Sequence, residues 1–108
     1  MTEEVRIVFV SIPRDEAKPF ARALVEERLA ACVNIVPKME SFYRWEGKVL
    51  SDSEALLMVK TTRDRFDALR QYVEENHPYD LPEIVALPVS EGLPDYLDWI
   101  EEETEEEQ

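Results

Sequence analysis

The sequence predicts an α+β domain in which an antiparallel sheet carries two helices on one face, followed by a short C-terminal helix. Three observations lead there. Apolar runs of strand character alternate with two segments of helical period in the order β-α-β-β-α-β. A glycine turn joins the second and third strands, and no linker, repeat or composition break divides the chain. Residues 1–108 therefore read as one domain, with an acidic tail from about residue 101.

Val5 to Ile12 is an apolar run bounded by acidic residues and Pro13, and it reads as a strand buried on both faces. Pro13-Arg14-Asp15-Glu16 opens a helix, with Asp15 as the expected N-cap and Glu16 favourable at the positive end of the dipole. Pro19 is tolerable only in the first turn. Ala17, Phe20, Ala21, Leu24, Val25 and Leu29 then recur at helical spacing. Cys32 to Trp45 is β-branched and aromatic, with Pro37-Lys38 marking a bulge or bend, because proline removes a ladder donor. Trp45-Glu46-Gly47-Lys48-Val49 is a hairpin turn in which Gly47 takes a positive φ. The returning strand passes polar Ser51-Asp52-Ser53, which twists it, and ends at Lys60-Thr61-Thr62.

Thr62 is placed to cap a second helix with apolar face Phe66, Leu69, Tyr72 and Val73, which Pro78 stops. Leu81 to Val89 reads as an edge or terminal strand, since Pro82 and Pro88 lack donors. Asp95 to Glu103 forms the last helix through Tyr96, Leu97, Trp99 and Ile100. This order is the split β-α-β, or ferredoxin-like, arrangement. Its second and third strands are long for a small sheet, and overhanging strands leave unpaired backbone that monomers avoid. Oligomerisation through the hairpin is the expected remedy.

Composition removes several function classes. The net charge is −13, and Glu101, Glu102, Glu103, Glu105, Glu106 and Glu107 supply nearly half of it. Such a surface repels phosphate backbones and anionic lipid, so neither nucleic acid nor membrane is an expected partner. The tail reads as a solvated, frayed helix end, with a weak cation-collecting brush as the alternative. No apolar run reaches a membrane span, and acidic Met1-Thr2-Glu3-Glu4 is unlike a secretory signal, so a cytoplasmic location is expected. The single cysteine, Cys32, agrees with a reducing compartment and reads as a buried structural residue. One Cys and one His cannot build a structural zinc site within one chain.

Catalytic patterns are equally thin. With only Gly47 and Gly92, the chain has no glycine-rich loop to cradle phosphate. Arg14 beside Asp15 and Glu16 is a poor copy of an acylphosphatase loop, and no Ser-His-Asp spacing stands out. RNA-recognition domains share the topology, but the first strand offers Phe9 alone for stacking.

Ordered segments nonetheless carry a specific resemblance. They are Ala23 to Ile35, Tyr43-Arg44-Trp45-Glu46-Gly47-Lys48, Lys60-Thr61-Thr62, His77-Pro78-Tyr79 with Leu81 to Val89, and Tyr96-Leu97-Asp98-Trp99. Together they resemble the CutA, or divalent-cation-tolerance, family over nearly the whole chain. The resemblance implies a ferredoxin-like protomer in a tight homotrimer, an association with divalent cations and especially copper, an architecture similar to the PII signalling proteins, and no established catalytic reaction.

It also frames the candidate sites. The family's reported copper ligands, a Cys near the end of the first strand and a His-His pair before Pro-Tyr, correspond here to Val10, Asn76 and His77. Only His77 carries over as a metal ligand, with Asp80 or Glu83 able to assist from the same loop; a helix C-terminal role is the alternative. No cofactor is required on this reading, and Cu(II) or another divalent cation is held weakly. Tyr43, Trp45, Lys60, Glu83 and Trp99, with His77, are the expected lining of a cleft between protomers, open to a small ligand. The competing reading is a trimeric scaffold that presents acidic faces to a partner protein, with metal effects incidental.

Overall fold

The computed structural model describes residues 4–106. The sequence readings at Met1-Thr2-Glu3 and at Glu107 lie outside the described residues. The elements are β1 (Val5–Ile12), α1 (Ala17–Glu26), β2 (Cys32–Trp45), β3 (Lys48–Thr62), α2 (Phe66–Asn76), β4 (Val85–Pro88) and α3 (Pro94–Glu103). All strand pairs are antiparallel and the sheet order is β2-β3-β1-β4, so the expected α+β topology is present.

Strand alternation divides the side chains between two faces. Val8, Val10 and Ile12 of β1 lie opposite Val59, Leu57 and Ala55 of β3. This face meets Phe20, Ala21 and Leu24 of α1 and Leu69 and Val73 of α2, forming the main core. The other parity behaves differently: Ile7 and Phe9 are only half-buried because neither α1 nor α2 covers them. The expectation that β1 is buried on both faces is corrected accordingly. A smaller cluster of Val5, Ala31, Leu97 and Ile100 seats α3 at one end of the sheet.

The hairpin outruns the rest of the sheet. β1 pairs with β3 from Ala55 to Thr62, so Lys48 to Glu54 have β2 as their one strand neighbour. The register shifts between Val36 and Met39, placing the expected bulge at Pro37-Lys38, and Arg14 Nε donates to the Pro37 carbonyl at 3.0 Å. At the turn Glu46 (φ 50°) and Gly47 (φ 77°) are both left-handed, the pairing that matches a two-residue loop to strand twist.

Local details depart from the sequence reading. Asp15 does not cap α1: Arg14–Glu16 form a 3-10 turn after Pro13, and Glu16 holds the cap position without a side-chain bond. Thr62 precedes the 3-10 turn Arg63–Arg65 and likewise makes no side-chain cap bond. α1 stops at Glu26, and Arg28 (φ 58°) turns the chain so that Leu29 N–H reaches the Leu24 carbonyl at 3.0 Å. Leu29 is thus a core residue outside the helix.

The tail is not frayed over its described part. Thr104 is 2% exposed and its hydroxyl donates to the Ile100 carbonyl. Arg28 Nη1 donates to the Glu103 carbonyl at 3.3 Å, and Arg65 joins the Arg28 carbonyl to the Glu106 carboxylate. Two arginines, one from the turn after α1 and one from the turn before α2, thus hold the acidic segment.

β4 is the largest correction. The sequence places a strand over Leu81 to Val89, whereas Val85–Pro88 alone form one. The register pairs Phe9 with Val85 and Ile7 with Leu87, so a longer strand would set Glu83 opposite Ser11. The Ser11 carbonyl is instead 2.7 Å from His77 Nε2. The ladder ends where an imidazole takes the strand's place.

Candidate functional site

His77 follows α2, where Pro78 forbids helical backbone at the preceding residue and releases it to φ −79°, ψ 143°. This turns the side chain back under β1, leaving it 8% exposed. The Phe20 ring packs edge-on at 6.0 Å and the Tyr79 ring lies at 4.8 Å. A carbonyl only accepts, so Nε2 donates to Ser11; a backbone N–H only donates, so Nδ1 accepts from Tyr79 at 3.1 Å. Both partners are satisfied by one neutral tautomer, protonated on Nε2.

Tyr79 continues the chain of bonds. Its hydroxyl donates to Glu54 Oε2 at 2.7 Å, and Glu54 is 6% exposed. Burial, then the bond to Glu54, pushes the Tyr79 phenol far above its ordinary range. Two residues along β3, the Asp52 carboxylate accepts a bond from the Tyr43 hydroxyl, which raises the Tyr43 phenol as well. The two tyrosine–carboxylate pairs therefore lie just beyond Ala55, where β3 stops pairing with β1.

Of the remaining candidates, Tyr43 lies near enough to Tyr79 to act on its phenol, and the others are spread along the chain. Tyr43 and Trp45 sit on the hairpin, both exposed, opposite Leu50 and Lys48. Lys60 lies at the other end of β3, beside Cys32 and Ile7 in register, and donates to Asn34 Oδ1. Twelve residues of extended strand separate Lys48 from Lys60, a span of about 40 Å. Glu83 is exposed in the loop before β4. Trp99 stacks on Tyr96 on α3, with centroids 5.6 Å apart. Cys32 is free and partly exposed rather than fully buried as expected.

The copper-ligand positions do not fit a dedicated site. Val10 is fully buried in the main core. Asn76 spends its amide on the Tyr72 carbonyl at 2.9 Å. A cation at either ring nitrogen of His77 would displace a hydrogen bond and strand its backbone partner. Among the described residues no group of three or more His, Cys, Asp or Glu side chains is arranged to hold a metal ion.

Sequence reasoning missed Glu54, Ser11 and the arginine pair Arg28 and Arg65. Glu54 shares strand parity with Leu56, Met58 and Lys60, and that alternation was the available signal. The Arg65 role depends on α1 and the tail meeting in space, for which no local pattern exists. Beside it lies a surface hollow of about 410 Å³ lined by Glu26, Glu27, Arg28, Arg65 and Glu106, none of them a sequence candidate.

The architecture defines a class first: an α+β sandwich whose second sheet face α1 and α2 leave uncovered. Residues 6–103 match the family described as CutA1 divalent ion tolerance protein. The divalent-cation tolerance protein CutA of Thermus thermophilus is 56% identical over 99 residues, covering 91% of this chain and 96% of that protein. The chloroplastic protein CutA of Arabidopsis thaliana is 50% identical over 91% of this chain, which spans 54% of that relative's length. Among solved structures, the T. thermophilus protein superposes with a TM-score of 0.91 at 53% identity, covering 94% of this chain and 99% of that one. The PII-like protein CutA of Nostoc, in apo form, gives a TM-score of 0.88 at 37% identity over 93% and 97%. The chain belongs to the CutA1 divalent ion tolerance family and has its PII-like fold.

Proposed function

We propose that the protein works as a homotrimer that takes up a small ligand in clefts between subunits, without catalysing a reaction. One observation carries this reading: a 15-residue β3 and 14-residue β2 project as a two-stranded ribbon with apolar side chains in the open. Phe42 is 74%, Val49 65% and Trp45 48% exposed. An isolated ribbon of this kind is marginal in water and is stabilised by packing on a partner surface. The half-buried Ile7, Phe9 and Met58 on the uncovered sheet face supply such a surface, which makes a second and third copy the fitting partners.

In this assembly Tyr43 and Trp45 of one subunit reach toward Lys60, Glu83 and Trp99 of the next, since Trp45 and Lys60 stand at opposite ends of β3 within one chain. Divalent cations, including Cu(II), bind weakly and are not required. The single cysteine, which fits a reducing compartment, supports a cytoplasmic location. Among the described residues no helix is long and apolar enough to cross a membrane. Light scattering with and without Cu(II) and a chelator tests this, with a chelator-resistant mass of three chains expected. A monomer would overturn it, and a metal-dependent trimer would move the cation into the assembly.

The acidic α3 and tail favour a second reading, a trimeric scaffold for a partner protein. Saturable small-ligand binding by the isolated trimer supports the first reading, and binding only with another protein present supports the second.

A further inference from the structure

The loop between α2 and β4 is held by side chains where a sheet would use backbone. β1 turns the carbonyls of alternate residues to the same edge. Val5, one of that set, accepts from Val89 N–H at 3.1 Å, so this edge is the one β4 occupies. Ser11 belongs to the same set, and its carbonyl meets His77 instead. An unpaired carbonyl at a sheet edge invites another strand or is left unsatisfied when covered.

We propose that His77 is a positioning residue: its imidazole terminates the β1 edge at Ser11 and, through Tyr79 and Glu54, fixes the 77–84 loop to the root of the hairpin. The chain runs Ser11 carbonyl, His77 ring, Tyr79 backbone N–H, then Tyr79 hydroxyl to the Glu54 carboxylate, with separations of 2.7, 3.1 and 2.7 Å. It links β1, the loop bearing Asp80 and Glu83, and β3 where β1 stops pairing with it. A shift of the loop is therefore transmitted to the hairpin root. The same geometry leaves His77 without a free nitrogen for a metal. These bonds lie within one chain and do not rest on the trimer reading.

The chain has one histidine, so ring ¹⁵N signals of the full-length protein belong to His77 alone. The expected spectrum at neutral pH is a single Nε2–H tautomer, unmoved by one equivalent of Zn(II). Hydrogen exchange on two variants then separates the two bonds. A Gln amide reaches the place of Nε2 and an Asn amide that of Nδ1. His77→Gln is expected to speed exchange of the Tyr79 amide by about tenfold, and His77→Asn to leave it slow. Tyr79→Phe is expected to loosen amides around Glu54 while the ring tautomer persists. Averaged tautomers, a stoichiometric Zn(II) shift of a ring nitrogen, or equal Tyr79 exchange in the Gln and Asn variants would each overturn the proposal.

Discussion

The two ends of the β2–β3 hairpin are one continuous ribbon in opposite circumstances. At its base, Ala55, Leu57 and Val59 are completely buried between β2, β1 and the helices. At its far end, Phe42, Trp45 and Val49 have equally apolar side chains and stand in the open. Strand propensity is similar along the ribbon; what changes is the number of neighbouring layers. The base is completed by its own chain; the far end is left open by it and, on the proposed reading, packs on another copy.

Deleting packing at the base should give the largest effect. Leu57→Ala is expected to lower stability by about 3 kcal/mol, since a fully buried leucine leaves a cavity when truncated. Denaturant unfolding checks this, and a loss below about 1 kcal/mol would place the core elsewhere.

The junction between base and tip should be next. Tyr79→Phe removes a bond to a buried carboxylate and is expected to cost about 1–2 kcal/mol. Its pH dependence has a definite sign. The unfolded phenol loses its proton near pH 10, while the folded one, raised mainly by burial, keeps it. Stability from this group is therefore present below about pH 10 and declines above it. Unfolding curves of the Phe variant should show a shallower alkaline decline than wild type.

Smaller effects belong to the turn and the tail. Gly47→Ala is expected to cost about 1 kcal/mol from φ alone, since nothing lies within 4 Å of an added Cβ. A neutral result would mean that the turn relaxes. Glu106→Gln breaks a bond whose acidic partner is 74% exposed, and a change within about 0.5 kcal/mol is expected, fading with salt.

The sequence made the local geometry legible where one residue type dictates it. Proline at 37 marked the bulge, glycine at 47 the turn and Pro78 the end of α2. The helical period of Phe20, Leu24, Leu69 and Val73 identified the faces that close the core. Failures came where distant groups decide. Leu81 to Ile84 have strand character, but His77 had already taken the carbonyl that strand needed. Asp15 and Thr62 are favourable caps by type, yet each helix begins through a 3-10 turn that shifts the cap position. The acidic run marked a solvated tail, and Glu102, Glu103, Glu105 and Glu106 are exposed, but only the fold reveals that Arg28 and Arg65 bond to it. The candidate cleft was the least legible, because Trp45, opposite Lys48, and Lys60 lie about 40 Å apart along one ribbon.

The most direct test of the hairpin's incompleteness is solution mass by light scattering, comparing wild type with a Trp45→Glu, Val49→Asp double variant. Neither residue touches the core, so circular dichroism should show both proteins folded. The expected result is a chelator-resistant trimer for wild type and a lighter species for the variant. A monomeric wild type, or a variant of unchanged mass, would contradict the claim that the exposed end of the hairpin is an assembly surface.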